Sequence, residues 1–352
     1  MLSPTGTAYE TPWHGFDSAY LSALSKSHPN LFLQPLRPHI PLYQTKIAVH
    51  SVFPRGLLRK LLQAMENLAP RLLRPTVVGV GTPFEPYNQT KLAVECAVLE
   101  HLEEELRVTC GDSNIELALL TNVTLSASEA AFWKTRGWYS LPSFPDMTLP
   151  LPYDSFKDFI THRSSNMRRT IRGHIRKFER SGYRLEWQRD SEQNWRDYFN
   201  AYNFVRNRSL VPWIAHSEAY FQKMPSLTPV VELLIALDTQ KRPVAFMSYL
   251  NAEDVAHAGR FGILPNHHRK HAIYFRLLYA LIERAIKENK RELKLEPTTY
   301  RLKRRLGAHY QFTQNLLLPV STVWKQTLPL APSLGHFLLE HLQKPNKLES
   351  SF

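Results

Sequence analysis

Residues 257–297, HAGRFGILPNHHRKHAIYFRLLYALIERAIKENKRELKLEP, decide the fold of this chain. The stretch opens in a strand-like run of small and apolar residues and passes through a polar loop. An apolar helix then extends from about residue 272 to 289, and a short strand follows as RELKLEP. Strand, loop, helix and strand in this order predict an α/β fold with a mixed sheet of the α+β kind.

The neighbouring elements extend this unit in both directions. VVELLIALDTQKRPVAFMSYLNAEDVAHAGRFGIL, from residue 230, predicts three successive strands joined by polar turns. Before it, Ser164 begins a helix that Gly182 ends, and a strand and an aromatic-rich helix follow. After it, TTYRLKRRLG predicts a helix or turn, and HYQFTQNLLLPV predicts a last strand.

The first half of the chain predicts another α/β unit. Helices are expected at 57–73 and 90–107, where leucines recur at helical spacing, and a short helix ends at Gly137. PTVVGVGTPF and IELALLTNVT predict strands among these helices. We therefore divide the chain into a flexible lead at 1–30, a first domain at 31–150, a second domain at 151–324, and a C-terminal helix and tail at 325–352.

The composition is that of a folded protein. Of the 352 residues, 43% are hydrophobic and only two are cysteines, which excludes a disordered chain and a disulfide scaffold. No apolar run is long enough to span a bilayer, so we expect no stable membrane insertion. The N-terminus lacks the basic and apolar segments of a signal peptide, so we expect a cytoplasmic protein. No spacing of ligand residues predicts a metal site.

Positive charge is concentrated in the second half of the chain. The formal net charge is +13, from 44 Lys and Arg against 31 Asp and Glu. Residues 1–150 carry 12 basic and 13 acidic side chains, and the rest of the chain carries 32 and 18. The windows 157–190 and 284–305 hold much of this excess. A basic surface on one domain predicts a polyanionic partner: nucleic acid, a phosphorylated cofactor, an acidic carrier protein or anionic lipid.

Four stretches in a fixed order resemble the GNAT acyltransferase fold, and within it the FemAB-like transferases with two GNAT units. They are SSNMRRTIRGHIRKFERSGYRLEW, WRDYFNAYNFVRNR, residues 257–295 and EPTTYRLKRRLGAHYQ. The resemblance implies tandem GNAT-like units, with residues 31–150 as a diverged first copy. It also implies an N-acyltransferase with no tightly bound cofactor, in which an amine attacks an activated acyl group.

The resemblance leaves the acyl donor open. GNAT enzymes that use CoA bind its pyrophosphate on a Gly-rich loop before a helix, whereas PNHHRKHAIYF contains no glycine. The loop is therefore either a solvated turn or a site where side-chain charge replaces backbone groups. The side chains that would bind the donor are those of Arg260, which precedes the loop, and of five loop residues: His267, His268, Arg269, Lys270 and His271. Acyl-CoA, acyl carrier protein and aminoacyl-tRNA remain as donors, and the acceptor is an amine of a small molecule or of the cell envelope.

Lys303 is the leading catalytic candidate. Its place in YRLKRRLG resembles that of the family lysine that neutralises charge on the donor or on the tetrahedral intermediate. Its basic neighbours, Arg301, Arg304 and Arg305, are expected to be solvated. Tyr300 lies one turn earlier on the same helix face, and either donates a proton to the leaving group or packs in the core.

His257 and Glu232 are candidates for a general base by residue type. His257 lies in a central strand and is either a base with a pKa near neutrality or a hydrogen-bonded core residue. If that strand is regular, His257 and Arg260 face opposite sides of the sheet. The reaction needs no dedicated base where water carries the proton.

Arg168, Arg172 and Arg176 form a row along one predicted helix. The row either follows the phosphates of tRNA or of a nucleotide-linked acceptor, or is an ordinary exposed helix face. A different class of function is a GNAT-like scaffold that has lost its chemistry and binds RNA through this basic half.

Overall fold

The structure, a computed structural model, describes most of the chain between residues 31 and 330. The described residues are 31–37, 40–53, 56–80, 104, 114–143, 145–188, 194–209, 216–223, 231–251, 254–268, 271–295, 297 and 299–330. Within these ranges, no helix combines the length and the apolar character that crossing a membrane requires. The predicted helix at 90–107 and the tail from residue 331 lie outside the described residues, apart from residue 104.

Six described strands form a first mixed sheet in the order β1-β2-β3-β4-β13-β5. The pairs are antiparallel except for β3 and β4, which are parallel. The bounds are β1 Leu31–Arg37, β2 Ile40–Lys46, β3 Thr76–Val80, β4 Leu117–Val123, β5 Tyr139–Pro142 and β13 Gln314–Pro319.

Seven described strands form a second mixed sheet in the order β12-β6-β11-β10-β9-β8-β7. Only β10 and β11 are parallel, and they are joined through a helix, as the opening stretch of the sequence predicts. The bounds are β6 Asp146–Pro150, β7 Arg184–Gln188, β8 Val231–Leu237, β9 Pro243–Asn251, β10 Val255–Ile263, β11 Glu292–Leu295 and β12 His309–Gln311. The predicted mixed α/β fold is confirmed.

Helices connect and cover the strands. Those of the first half are α1 Leu57–Met65, α2 Pro70–Leu73 and α3 Ala127–Thr135. Those of the second half are α4 Phe156–Thr161, α5 Ser165–Glu179, α6 Trp195–Arg208, α7 Glu218–Lys223, α8 Ile273–Lys287, α9 Tyr300–Arg305 and α10 Thr322–Thr327. The single helix expected at 57–73 is two helices, because Pro70 has no amide hydrogen to continue the first and instead begins the second.

Helices cover the second sheet on both faces. On one face, α4, α5 and α8 pack with the residues around α9 on the largest apolar core, which includes Ala256 and Ala258 of β10. On the other face, α6 and α7 pack on Leu233, Ile235 and Phe246. This layering places β10 and β11 at the centre of the molecule, with their carboxyl ends beside the start of α8 and α9.

The two sheets exchange strands. β6 precedes the predicted boundary at residue 151 but pairs with β11 and β12 of the second sheet. β13 lies within 151–324 but pairs with β4 and β5 of the first sheet. The domain division stays a prediction, and its two parts are joined by hydrogen-bonded strands in both directions.

Candidate active site

β10 and β11 separate near the middle of β10. They pair over four residues, from Val255 with Glu292 to Ala258 with Leu295. β11 ends there, whereas β10 continues to Ile263. The sheet therefore opens beside the second half of β10.

A β-bulge coincides with this opening. Ala258 pairs with Tyr249 and Phe261 pairs with Met247, so Gly259 and Arg260 together oppose the single residue between those partners. Such an extra residue bends a strand and redirects its side chains. As a result, the expectation that His257 and Arg260 face opposite sides, which required a regular strand, is wrong: the added residue returns Arg260 to the face of His257.

The residue opposite the bulge is Ser248. It is 1% exposed, and its Oγ has no hydrogen-bond partner among the residues that the structure describes. A buried hydroxyl without a partner is unfavourable unless a ligand or water supplies one. The sequence analysis missed Ser248, although a single polar residue in the apolar run VAFMSYL was a signal for it.

Lys303 lies in α9, the helix that follows β11 along the chain. Its side chain is buried, with the residue 5% exposed, while Arg301, Arg304 and Arg305 are exposed as expected. Burying an ammonium group is unfavourable unless a partner compensates for the lost hydration. Burial therefore distinguishes Lys303 from the three exposed arginines of the same helix.

Tyr300 is held in the structure through its hydroxyl. The hydroxyl donates a hydrogen bond to the backbone carbonyl of Pro145, 3.0 Å away, and its ring packs on Tyr310. The proton of Tyr300 is thus directed to the segment before β6. This geometry favours the packing role over proton donation to a leaving group.

A hydrogen bond connects the start of α8 with the start of α9. The hydroxyls of Tyr274 and Thr299 lie 3.1 Å apart, and Thr299 is the residue that precedes α9. Tyr274 also packs edge-on against Phe261 of β10. The start of α8 and the start of α9 are therefore neighbours.

Aromatic side chains hold the loop before α8. His267 hydrogen-bonds to the Tyr183 hydroxyl at 2.6 Å, and His268 packs against Phe204. His271 packs against Tyr183, and both His271 and Ala272 have a φ of 56°, which is left-handed backbone. Arg269 and Lys270 lie outside the described residues. The described histidines are therefore packed, not freely solvated.

His257 is neutral in this environment. Burial, and then the positive charge of Lys294, lower the pKa of His257 to about 3. The expected alternative of a pKa near neutrality does not fit this position, and a base that weak does not take a proton from an ammonium group efficiently.

Lys294 is the centre of a polar cluster beside His257 that the sequence analysis did not identify. Its Nζ lies 2.7 Å from Gln311 Oε1, 2.9 Å from Thr148 Oγ1 and 3.1 Å from Glu292 Oε1. Lys294 pairs in register with His257. The alternation of RELKL, with polar residues between leucines, was the available signal, because it places Lys294 on the face opposite the leucines.

Glu232 takes part in a different network, on the α8 face of the sheet. It pairs with Arg284, which also binds Glu288 at 2.7 Å and lies over the ring of Trp187. Burial lowers the pKa of Arg284, but the hydrogen bonds to Glu232 and Glu288 raise it above its ordinary value. Glu232 is thus committed to a structural ion pair near the C-terminal half of α8, away from the loop and α9.

The three arginines of α5 differ in their surroundings. Arg168 donates to the carbonyls of Arg163 and Thr161, at 2.9 and 3.2 Å, and so satisfies backbone groups at the end of α4. Arg172 and Arg176 are exposed. Burial, and then Lys177 and Arg305, lower the pKa of His174 on the same helix, so the basic faces of α5 and α9 are close together.

Comparison with known proteins agrees with this geometry. Residues 165–304 match the family described as "Acetyltransferase (GNAT) domain". No curated protein matches the sequence.

Three solved structures have a similar fold at low identity. FemX is 8% identical with a TM-score of 0.55, over 89% of this chain and 93% of that one. L-PGS from Bacillus licheniformis is 10% identical with a TM-score of 0.54, over 92% and 93%. The C-terminal domain of a putative lysylphosphatidylglycerol synthetase from Agrobacterium fabrum is 10% identical with a TM-score of 0.51, over 90% and 92%.

Residues 165–304, which contain the parallel strand pair and the bulge, therefore have the fold of a GNAT acyltransferase domain. Over nearly its whole length the chain shares its fold with FemX. The resemblance drawn from the sequence is confirmed.

Proposed function

We propose that the chain transfers an activated acyl group to an amine at the opening between β10 and β11. The observation that carries this proposal is the burial of Lys303 in α9, the helix that follows β11 along the chain. When the amine attacks the acyl carbonyl, its lone pair forms the new bond and the carbonyl electrons move to oxygen. The Lys303 ammonium stabilises the resulting oxyanion, which then collapses and expels the thiol or hydroxyl of the donor.

The remaining groups position the reactants. Ser248 and the backbone of the bulge contact the acyl group, because Ser248 lies opposite the bulge and its buried Oγ has no hydrogen-bond partner among the described residues. The amine loses its proton to water and not to His257, whose pKa of about 3 makes it too weak a base. Arg260 and the loop before α8 face the anionic part of the donor.

The donor is an acyl group on a polyanionic carrier, either acyl-CoA or acyl carrier protein. The excess of positive charge in the second half of the chain supports this. Aminoacyl-tRNA is the second candidate, and the likeness in fold to proteins named FemX and lysylphosphatidylglycerol synthetase favours it. These donors occur in the cytoplasm, where we place the enzyme. The amine belongs to a small molecule or a cell-envelope component.

The test combines a donor panel with one pair of variants. Purified protein is mixed with acetyl-CoA, a longer acyl-CoA, acyl carrier protein loaded with an acyl group, or charged tRNA, and hydroxylamine serves as the probe amine. One donor class is expected to be consumed. Lys303→Met should lower kcat by about 10²–10³-fold, as the loss of an oxyanion-stabilising group does. Arg304→Met, on the exposed side of the same helix, should stay within about twofold of wild type.

Two results would contradict the proposal. A folded Lys303→Met variant with wild-type turnover would remove the lysine from the mechanism. Equal binding of charged and uncharged tRNA, with no donor consumed, would support the RNA-binding alternative instead.

A further inference from the structure

Helix α1 presents a row of large apolar side chains to solvent. No residue of the helix is buried. Leu57, Leu61 and Met65, spaced four apart, are 76%, 50% and 48% exposed, and Leu58 and Leu68 extend the row at 46% and 83%. We call these five residues the α1 stripe. Amphipathic helices of folded proteins normally bury such a face, and a contiguous exposed one indicates an interaction surface.

The connection that contains α1 is much longer than its strands require. β2 and β3 are antiparallel neighbours, and Lys46 pairs directly with Thr76. Antiparallel neighbours need a connection of only about two to five residues. Here residues 47–75 intervene, and they contain α1 and α2. This long connection contributes little to the sheet, so packing of the sheet does not explain the exposed apolar face of α1.

The same segment is basic within an acidic half of the chain. Residues 49–75 contain five Lys and Arg and one acidic residue, Glu66, whereas the rest of residues 1–150 contains seven basic and twelve acidic ones. Glu66 forms an ion pair with Arg74 at 3.4 Å and lies 2.9 Å from His50 Nδ1, and Arg71 pairs with Glu116 at 2.9 Å. Lys60 is exposed beside the α1 stripe. The surface around the stripe is therefore apolar and positively charged, without free acidic groups in residues 56–75.

We propose that α1 lies flat on an anionic membrane surface, with the α1 stripe inserted among the lipid headgroups and acyl chains. An amphipathic helix with leucines on one face and cations at its flanks has the chemistry that binds such a surface. Charge argues against a second copy of the same face, because two identical basic flanks would oppose each other. The helix does not need to span the bilayer for this role.

The test is co-sedimentation of the full chain with phosphatidylcholine vesicles that contain or lack phosphatidylglycerol. Wild type is expected to bind the anionic vesicles, and to bind them less as salt is raised. The triple variant Leu57→Gln, Leu61→Gln, Met65→Gln should bind about tenfold more weakly or worse. The matched control is Phe312→Gln with Val323→Gln, which removes exposed apolar residues from elsewhere and should bind like wild type.

Three outcomes would overturn the proposal. The first is wild-type protein that does not sediment with anionic vesicles. The second is a wild-type dimer, seen by light scattering, that the triple variant converts to a monomer without any vesicle binding. The third is a triple variant whose Tm falls by several degrees without vesicle binding by wild type, which would mean that another part of this chain covers the stripe.

Discussion

At the scale of single residues, burial keeps His257 from binding a proton near neutral pH. His257 is 5% exposed and lies beside Lys294, whose Nζ is surrounded by three oxygen atoms. Protonation of His257 would therefore place a positive charge in a buried site next to another cation, which is unfavourable. We therefore expect His257 to affect the pH dependence of the free energy of unfolding and not that of the reaction rate.

His257 should make the protein less stable in acid. Its pKa of about 3 in the folded state lies below the ordinary histidine value of about 6.5 expected after unfolding. Between these two pH values the unfolded chain binds a proton that the folded chain does not, so the free energy of unfolding falls as pH falls. The slope due to this residue approaches about 1.4 kcal/mol per pH unit.

The measurement is urea unfolding of wild type and His257→Asn between pH 7 and about pH 4.5. Wild type should lose stability more steeply than the variant, and a constant difference between the two does not affect this comparison of slopes. Parallel curves would mean that His257 is protonated in the folded state. The pH profile of kcat should contain no step from this histidine between about pH 5 and 8.

At the scale of elements, α6 packs closely against β10, the strand that carries the proposed site. Gly262 makes that approach possible: a Cβ there would lie 2.8 Å from the backbone nitrogen of Tyr202 and 3.0 Å from the carbonyl carbon of Ala201. It would also overlap the ring of Phe246. Since two of these neighbours are helix backbone, they cannot move aside without shifting α6.

Gly262→Ala should therefore destabilise the protein by about 1–3 kcal/mol, as overpacking does. Gly173→Ala is the matched control, because a Cβ at Gly173 meets nothing within 4 Å in the middle of α5. That control should stabilise the protein by about 0.5–1 kcal/mol, the difference in helix propensity. Urea midpoints give both values. Equal midpoints for Gly262→Ala and wild type would show that α6 does not rest on β10 at this residue.

Local patterns predicted the elements well and the site only in part. The run from β8 to β11 could be predicted because alternation, polar turns and the long apolar α8 are properties of adjacent residues. The bulge at Gly259 and Arg260 could not, because it is defined by the register against β9. In the same way, the ion pair of Glu232 with Arg284 joins residues far apart in sequence, so residue type alone suggested a base where the fold has a structural carboxylate.

At the scale of the whole molecule, strand exchange joins the two sheets into one unit. β13 fills the gap between β4 and β5, and Leu316 and Leu318 of β13 belong to the first sheet's core. β6 fills the gap between β11 and β12 next to the active site. Removing β13 or β6 would separate the edge strand, β5 or β12, from a sheet formed mainly by the other part of the chain. Neither part therefore has a complete sheet of its own.

Because the two sheets exchange strands, we expect a substitution that destabilises the first sheet to destabilise the second sheet as well. Leu318 is 5% exposed, and Leu318→Ala should lower the free energy of unfolding by about 2–4 kcal/mol. Hydrogen exchange measured by mass spectrometry should then speed up in peptides from β8 and β9 as well as in those from β3 and β4, because all of them open in one cooperative step. Val323→Ala, at a residue 38% exposed just beyond β13, is the control and should leave both sets unchanged. Faster exchange confined to β3 and β4 would show instead that the sheets unfold separately, and that the active site is stabilised by the second sheet alone.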